Sequence, residues 1–201
     1  MIKFYGTSKS RAARSLWALE ELGLKYEHIP TEVAKAKSPE HLKINPNGHI
    51  PALDDDGVIL CESMAINLYL AEKYGKNSLW PASVEDHGRA YQWSFWGITE
   101  LEGHFLTLLS HKMFLPPDQR DEKKANDAIN ALKAPLNVLD AALKGREYLL
   151  GSNFTIADLN VAGVLTFGTY VKFDHSATPA LQAWLGKCHG RDAYKKLRSI
   201  A

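Results

Sequence analysis

The spacing of apolar positions changes period several times between Ile2 and about Tyr74. Ile2-Lys3-Phe4-Tyr5 alternates as a short strand does, and Tyr26 to Ile29 reads the same way. Between them, Ser10 precedes a stretch in which Leu16, Leu19 and Leu22 are among the apolar positions and Gly23 supplies a stop, which predicts a helix to about Leu22. Ser38-Pro39-Glu40 has the form of an N-cap followed by proline at the first helical position, so Glu40 to Lys43 is expected to make one short turn. Ala52-Leu53 and Val58-Ile59-Leu60 are two brief apolar runs separated by Asp56-Gly57, a dipeptide suited to a hairpin. Glu62-Ser63 then opens a helix over Met64 to Tyr74. The order β-α-β followed by β-β-α predicts an α/β domain over residues 1–78, a small mixed sheet with helices packed on it in a thioredoxin-like arrangement.

Lys76 to Ser83 (K-N-S-L-W-P-A-S) reads as a linker, and the pattern beyond it is helical throughout. Helical spacing covers about 84–113, 119–143, 155–171, 179–189 and 190–198, with no convincing strand pair. Pro116-Pro117 separates the first two stretches, and Pro135 is expected to bend or interrupt the second. Residues 84–201 are therefore expected to form an all-α domain. Thr155-x-x-Asp158 ahead of an apolar run has the spacing of a capping box, which gives Asp158 a structural rather than a catalytic role.

Charge and composition remove function classes. Lys and Arg number 24 against 23 Asp and Glu, a net charge of +1, and no run of five like charges occurs. Neither nucleic acid nor a membrane surface has an electrostatic handhold here. No apolar run approaches the roughly 18 residues of a membrane span, and Met1-Ile2-Lys3 leads straight into strand-like sequence where a signal peptide would stand. The two cysteines, Cys61 and Cys188, form no C-x-x-C pair, so neither a disulfide framework nor a zinc site is expected. A reducing, cytoplasmic setting fits.

Candidate chemistry concentrates in Asn45 to Ala65, N-P-N-G-H-I-P-A-L-D-D-D-G-V-I-L-C-E-S-M-A. Pro51 cannot donate to a sheet ladder, so it belongs at a strand's first residue or an edge. The Ile50-Pro51 bond is one where a cis peptide is tolerated. In that form the Ile50 N–H and C=O turn outward, ready to pair with an extended peptide. A few residues on, the helix N-terminus at Ser63 offers unpaired N–H groups, a seat for a carboxylate. A strand-like edge beside an anion seat suits a small acidic peptide, although a plain hairpin and a capped helix would give the same spacing.

G-H-I-P-A-L, the hairpin and E-S-M-A-I-N-L-Y-L closely resemble the glutathione-binding region of the cytosolic glutathione transferases. Upstream, F-Y-G-T-S-K-S-R-A-A-R-S-L-W-A-L-E-E-L-G-L-K-Y-E resembles their first strand, helix and second strand, and S-N-F-T-I-A-D-L-N-V-A resembles the buried capping segment of their helical domain. The three pieces stand in family order over nearly the whole chain. The resemblance, to a serine-type member, implies reduced glutathione as co-substrate, no metal, and a homodimer. It implies that Ser63 binds the γ-glutamyl carboxylate, Glu62 the ammonium group or a nearby water, and Ile50, ahead of Pro51, the cysteinyl backbone. His49 stands near the glycyl carboxylate, where many relatives carry Gln or Lys. Some relatives carry an aromatic key at the position of Asn47 that locks into the partner subunit; its absence predicts a more polar interface.

Ser10 is the expected catalytic residue, with Ser8 as the rival and Tyr5 and Arg11 as further donors. A free thiol has a pKa of about 8.5. One hydroxyl donating to a thiolate contributes roughly 1.5–3 kcal/mol. At about 1.36 kcal/mol per unit, that lowers the thiol by one to two units and makes the thiolate the major species. A plain N-cap role for Ser10 fits the same position. Cysteine is absent at this helix start, which disfavours thiol–disulfide chemistry through a protein thiol. Trp96, Glu100 and His104 share a helical face at i, i+4 and i+8, and in the resemblance this helix lines the pocket for a small hydrophobic electrophile. A metal site from Glu100, His104 and His111 is not expected. Two other activities fit the resemblance: a non-catalytic scaffold, and a glutathione-dependent peroxidase or disulfide reductase.

Overall fold

Four strands form one mixed sheet in the order β2-β1-β3-β4. They are β1 (Ile2–Tyr5), β2 (Tyr26–Ile29), β3 (Ala52–Asp55) and β4 (Val58–Cys61); β1 pairs parallel with β2 and antiparallel with β3, and β3 pairs antiparallel with β4. The hairpin between β3 and β4 turns at Asp56 and Gly57, both at positive φ, as a tight two-residue hairpin demands. Helix α1 (Ala12–Glu21) buries Leu16, Trp17 and Leu19, and α2 (Pro39–Leu42) is the predicted short turn, with the Ser38 hydroxyl accepting from the His41 N–H. Helix α3 (Ser63–Tyr74) buries Met64, Ile66 and Leu70. The computed structural model describes residues 1–76 and 78–200, so Asn77 of the expected linker and Ala201 lie outside it.

A buried acid fastens β3 to α3. The Asp55 carboxylate accepts hydrogen bonds from Tyr69 Oη at 2.8 Å, Tyr74 Oη at 2.8 Å and Lys73 Nζ at 2.7 Å. Burial pushes its carboxyl up, but the bonds from Lys73, Tyr74 and Tyr69 outweigh burial and hold it below the usual carboxylate range. Stability from this cluster is therefore present above the ordinary carboxylate pKa and is lost as the pH falls through the depressed value.

The structure divides the chain differently from the expected boundary. One unit is Met1–Ala82 joined by the segment from Gly190 onward; the other is Ser83–His189. Residues beyond His189, expected in the all-α domain of 84–201, belong with the sheet because α9 (Asp192–Leu197) packs on α1. Tyr194 meets Trp17 edge-on at 4.8 Å between centroids. Arg191 forks onto Glu21, with Nε 3.0 and 3.1 Å from the two carboxylate oxygens, and Lys196 pairs with Glu20. These partners are far apart in sequence and carry no local pattern.

The second unit is all-helical. Its long first helix comprises α4 (Val84–Trp96), a π-helical stretch Gly97–Glu102, α5 (Gly103–Leu109) and a second π-helical stretch Ser110–Phe114. Gly97, Leu101, Phe105, Leu108 and Leu109 are among its buried positions. Helix α6 (Glu122–Leu143) runs as one element through Pro135, so the expected interruption does not occur. Pro135 offers no N–H to the Ala131 carbonyl, but Ala131 is exposed, where water can take that acceptor. Helix α7 (Ile156–Tyr170) is buried nearly all round and α8 (Pro179–His189) covers it. The capping box forms as expected, with Thr155 and Asp158 bonded reciprocally.

Candidate functional site

Register brings the singled-out segments to one end of the sheet. Tyr5, Ala52 and Cys61 are partners across β1, β3 and β4. The loop after Tyr5 leads to Ser10, the residues before Ala52 are Ile50-Pro51, and those after Cys61 are Glu62-Ser63. Neighbouring strands lie about 4.8 Å apart, so three segments remote in sequence emerge side by side.

Gly6 draws the first two together. A Cβ at this position would lie 2.5 Å from Ala12 Cβ and 3.7 Å from Pro51 Cα, so only glycine lets the loop pass between α1 and Pro51. The Ile50–Pro51 peptide is cis. No hydrogen bond engages the Ile50 N–H or C=O among the described residues. His41 Nε2 and Asn45 Nδ2 each donate at 2.8 Å to the His49 carbonyl and fix the segment, leaving the His49 ring exposed.

Ser10 is half-buried just ahead of α1. Its hydroxyl donates to the Thr7 carbonyl at 2.9 Å and accepts the Ala12 N–H at 3.1 Å. Ser8 instead donates to the Ile200 carbonyl at 2.6 Å, which commits its single hydroxyl proton elsewhere. The Tyr5 ring stands 6.2 Å from that of His41, and Arg11 is exposed.

At the third segment Glu62 precedes α3 with φ 69° and ψ 114°, a conformation non-glycine residues avoid at a cost of order 1–3 kcal/mol. Its carboxylate is exposed and has no partner among the described residues. The first intrahelical bond of α3 runs from the Ile66 N–H to the Glu62 carbonyl, so the earlier N–H groups point out of the helix end. Ser63 is buried there, and its Oγ accepts from Arg14 Nη1 at 3.3 Å while Ser15 Oγ donates to its carbonyl at 3.4 Å. Helix end, hydroxyl and buried guanidinium together make a positive seat for a carboxylate. Beside it, the Ile50 N–H and C=O form a strand-like open edge whose geometry suits an extended peptide.

Comparison with known proteins agrees with this geometry. Residues 1–72 match the glutathione S-transferase N-terminal domain and residues 99–192 the glutathione S-transferase C-terminal domain. Glutathione S-transferase GstB of Escherichia coli K12 is 31% identical over 100% of this chain and 99% of its own. The chain belongs to the glutathione S-transferase family. Among solved glutathione S-transferases, the theta-class enzyme of Xanthomonas axonopodis pv. citri with glutathione bound is 29% identical with a TM-score of 0.89, covering 100% of this chain and 98% of its own. Glutathione S-transferase-I bound with lactoylglutathione is 30% identical with a TM-score of 0.88, over 98% and 97%.

In this glutathione S-transferase two residues near the site escaped the sequence reading. Arg14 is a buried arginine one turn beyond Ser10, and nothing in the local pattern marks it as buried. The Lys37 stem packs at Gly48, where a Cβ would lie 3.1 Å from its Cγ, and so stands close to the His49-Ile50 edge. The remaining predicted residues lie in the other unit. Trp96 is half-buried and meets Trp93 edge-on at 5.1 Å, Glu100 is exposed within the first π-helical stretch, and His104 is half-buried on α5. No cluster of three His, Cys, Asp or Glu able to hold a metal occurs among the described residues.

Proposed function

We propose that the protein binds reduced glutathione at the end of its sheet, converts it to a thiolate beside Ser10, and adds it to a small hydrophobic electrophile. The observation that carries the reading is the register alignment of Tyr5, Ala52 and Cys61, which sets three glutathione-reading segments side by side. Ser63 and the first N–H groups of α3 take the γ-glutamyl carboxylate, with Arg14 behind them, and Glu62 takes the ammonium group. Ile50 pairs with the cysteinyl backbone, and His49 or Lys37 faces the glycyl end. Trp96, Glu100 and His104 are the candidates for holding the electrophile. Isothermal titration with glutathione tests the binding half. A hydrogen bond to a charged group contributes roughly 1.5–3 kcal/mol, so Ser63→Ala is expected to weaken binding about ten- to a hundredfold. Unchanged affinity in that variant would remove Ser63 from the site.

The same reading makes the protein a cytoplasmic homodimer. Both described cysteines are free thiols, and no helix of the described chain is long and apolar enough to cross a membrane. Helix α4 exposes Val84, Tyr91 and Phe95, at 76%, 39% and 61%, along one side, an apolar stripe suited to a second copy. Asn47 is exposed where some relatives carry their aromatic key, which favours a more polar contact. Light scattering at micromolar concentration is expected to return twice the 22.4 kDa chain mass; a single chain's mass would end the dimer reading.

A further inference from the structure

Gly6 is tied to β2 through both of its peptide groups. Its N–H donates to the Ile29 carbonyl at 3.3 Å, which carries the β1–β2 ladder one step past Tyr5. Its carbonyl is held by a side chain instead: His28 Nε2 lies 2.8 Å away. A carbonyl oxygen only accepts, so Nε2 carries the hydrogen, and the bond stands whether or not Nδ1 is protonated as well. The imidazole is half-buried and braced on two sides, with its centroid 6.1 Å from that of Phe4 and 6.4 Å from that of Tyr26. Tyr26 is fixed in turn by donating to Glu20 at 2.7 Å.

What this bond holds leads to Ser10. The Gly6 carbonyl belongs to the Gly6–Thr7 peptide plane. The next plane, Thr7–Ser8, carries the carbonyl that receives the Ser10 hydroxyl at 2.9 Å and the Ser10 N–H at 3.2 Å. Peptide planes are rigid, so only the two soft torsions of Thr7 separate the plane that His28 grips from the one on which Ser10 rests. Ala12 closes the other side. It packs against Gly6, and its N–H donates to the Ser10 hydroxyl. Glycine has wide conformational freedom, so a loop that begins with one holds its shape only where something outside it supplies the restraint.

We propose that His28 is a positioning residue for the transfer chemistry: by fixing the Gly6–Thr7 peptide, its Nε2–H sets where the Thr7 carbonyl stands and so where the Ser10 hydroxyl begins its turn toward the bound sulfur. The proposal rests on the reading of Ser10 as the donor to the thiolate. Hydrogen bonds weaken steeply once distance and angle drift, so a loosened loop costs the thiolate part of what Ser10 supplies. None of the contacts assigned to Ile50, Glu62 or Ser63 passes through His28. Glutathione binding and thiol activation should therefore separate.

His28→Phe keeps a ring between Phe4 and Tyr26 but has no donor, and His28→Gln restores a donor with similar reach. In His28→Phe the thiol of bound glutathione is expected to titrate about one unit higher, and conjugation to chlorodinitrobenzene at neutral pH to fall about tenfold. The dissociation constant for glutathione should change less than about twofold, since its own contacts remain. His28→Gln is expected to recover most of both losses. Adding His28→Phe to Ser10→Ala should shift the thiol no further than Ser10→Ala alone, because the histidine acts through the serine. A thiol unmoved by His28→Phe but moved by Ser10→Ala would overturn the proposal and leave the role of Ser10 standing. Full additivity of the two variants would do the same. Glutathione affinity lost in both His28 variants would mark a general structural role and equally overturn it. A thiol unmoved by Ser10→Ala would remove the reading beneath the proposal, and the proposal with it.

Discussion

Ser10→Ala is expected to slow conjugation about ten- to a hundredfold at neutral pH while glutathione affinity stays nearly unchanged. A serine hydroxyl has one proton to give and two lone pairs. Without substrate that proton goes to the Thr7 carbonyl and one lone pair takes the Ala12 N–H. On the proposed reading, rotation of the hydroxyl would carry the proton to a thiolate while the bond from Ala12 persists, so one side chain would cap the helix start and serve the sulfur together. Alanine removes both roles: about 1 kcal/mol of stability from the cap, and one to two units of thiol acidification. Titration of thiolate absorbance with glutathione bound separates them, because a cap alone leaves the thiol pKa where it was. Ser8→Ala is the matched control. Its proton lies on the Ile200 carbonyl, so the thiol should titrate unchanged in that variant. A shift in Ser8→Ala with none in Ser10→Ala would transfer the role; no shift in either would point to Tyr5, Arg11 or backbone N–H groups.

The largest loss of stability is expected at Asp158. Its buried carboxyl accepts from the Leu149 N–H at 2.8 Å, the Thr155 N–H and hydroxyl at 3.0 Å each, and Trp184 Nε1 at 2.9 Å. Burial pushes this carboxyl above its usual range while the four donors pull it back. Asp158→Ala strands those donors away from water, and each unsatisfied group costs about 1–3 kcal/mol, so a loss of about 4 kcal/mol is a conservative expectation. Asp158→Asn keeps one acceptor oxygen but turns an amide toward donors, and should lose about half as much. Urea unfolding followed by circular dichroism checks the order. A loss below about 1 kcal/mol for alanine would mean that the donors find other partners.

Segments whose structure is set by near neighbours were legible. Asp56-Gly57 needed only its own φ preferences to declare a hairpin, and Thr155-x-x-Asp158 only its spacing. Ile50-Pro51 was readable because proline alone tolerates both isomers. The sequence was silent where partners are distant. Arg14 carries no local mark of burial, since its hydroxyl partner is 49 residues away. Arg191 and Glu21 are separated by 170 residues, so the return of α9 to the first unit had no signature, and the boundary was drawn too late. The π-helical turns were also hidden, because Trp96, Glu100 and His104 satisfy an ordinary helical spacing whether or not a turn has widened between them. Pro135 signalled a bend or a break, and no break occurs: α6 runs through it, with exposed Ala131 one turn before, where water can take the freed carbonyl.

The return of α9 also bears on how this protein is made. A chain leaves the ribosome from its N-terminus, and domains ordinarily fold as they emerge. Here the first unit can form its sheet early but cannot finish. Until residues near 190 arrive, Trp17 lacks the ring that covers it, and Glu20 and Glu21 lack their cations. The whole helical unit is synthesised in that interval. A nascent chain halted before Gly190 therefore displays an apolar patch with two acids beside it, a surface that chaperones and proteases can read as unfinished work.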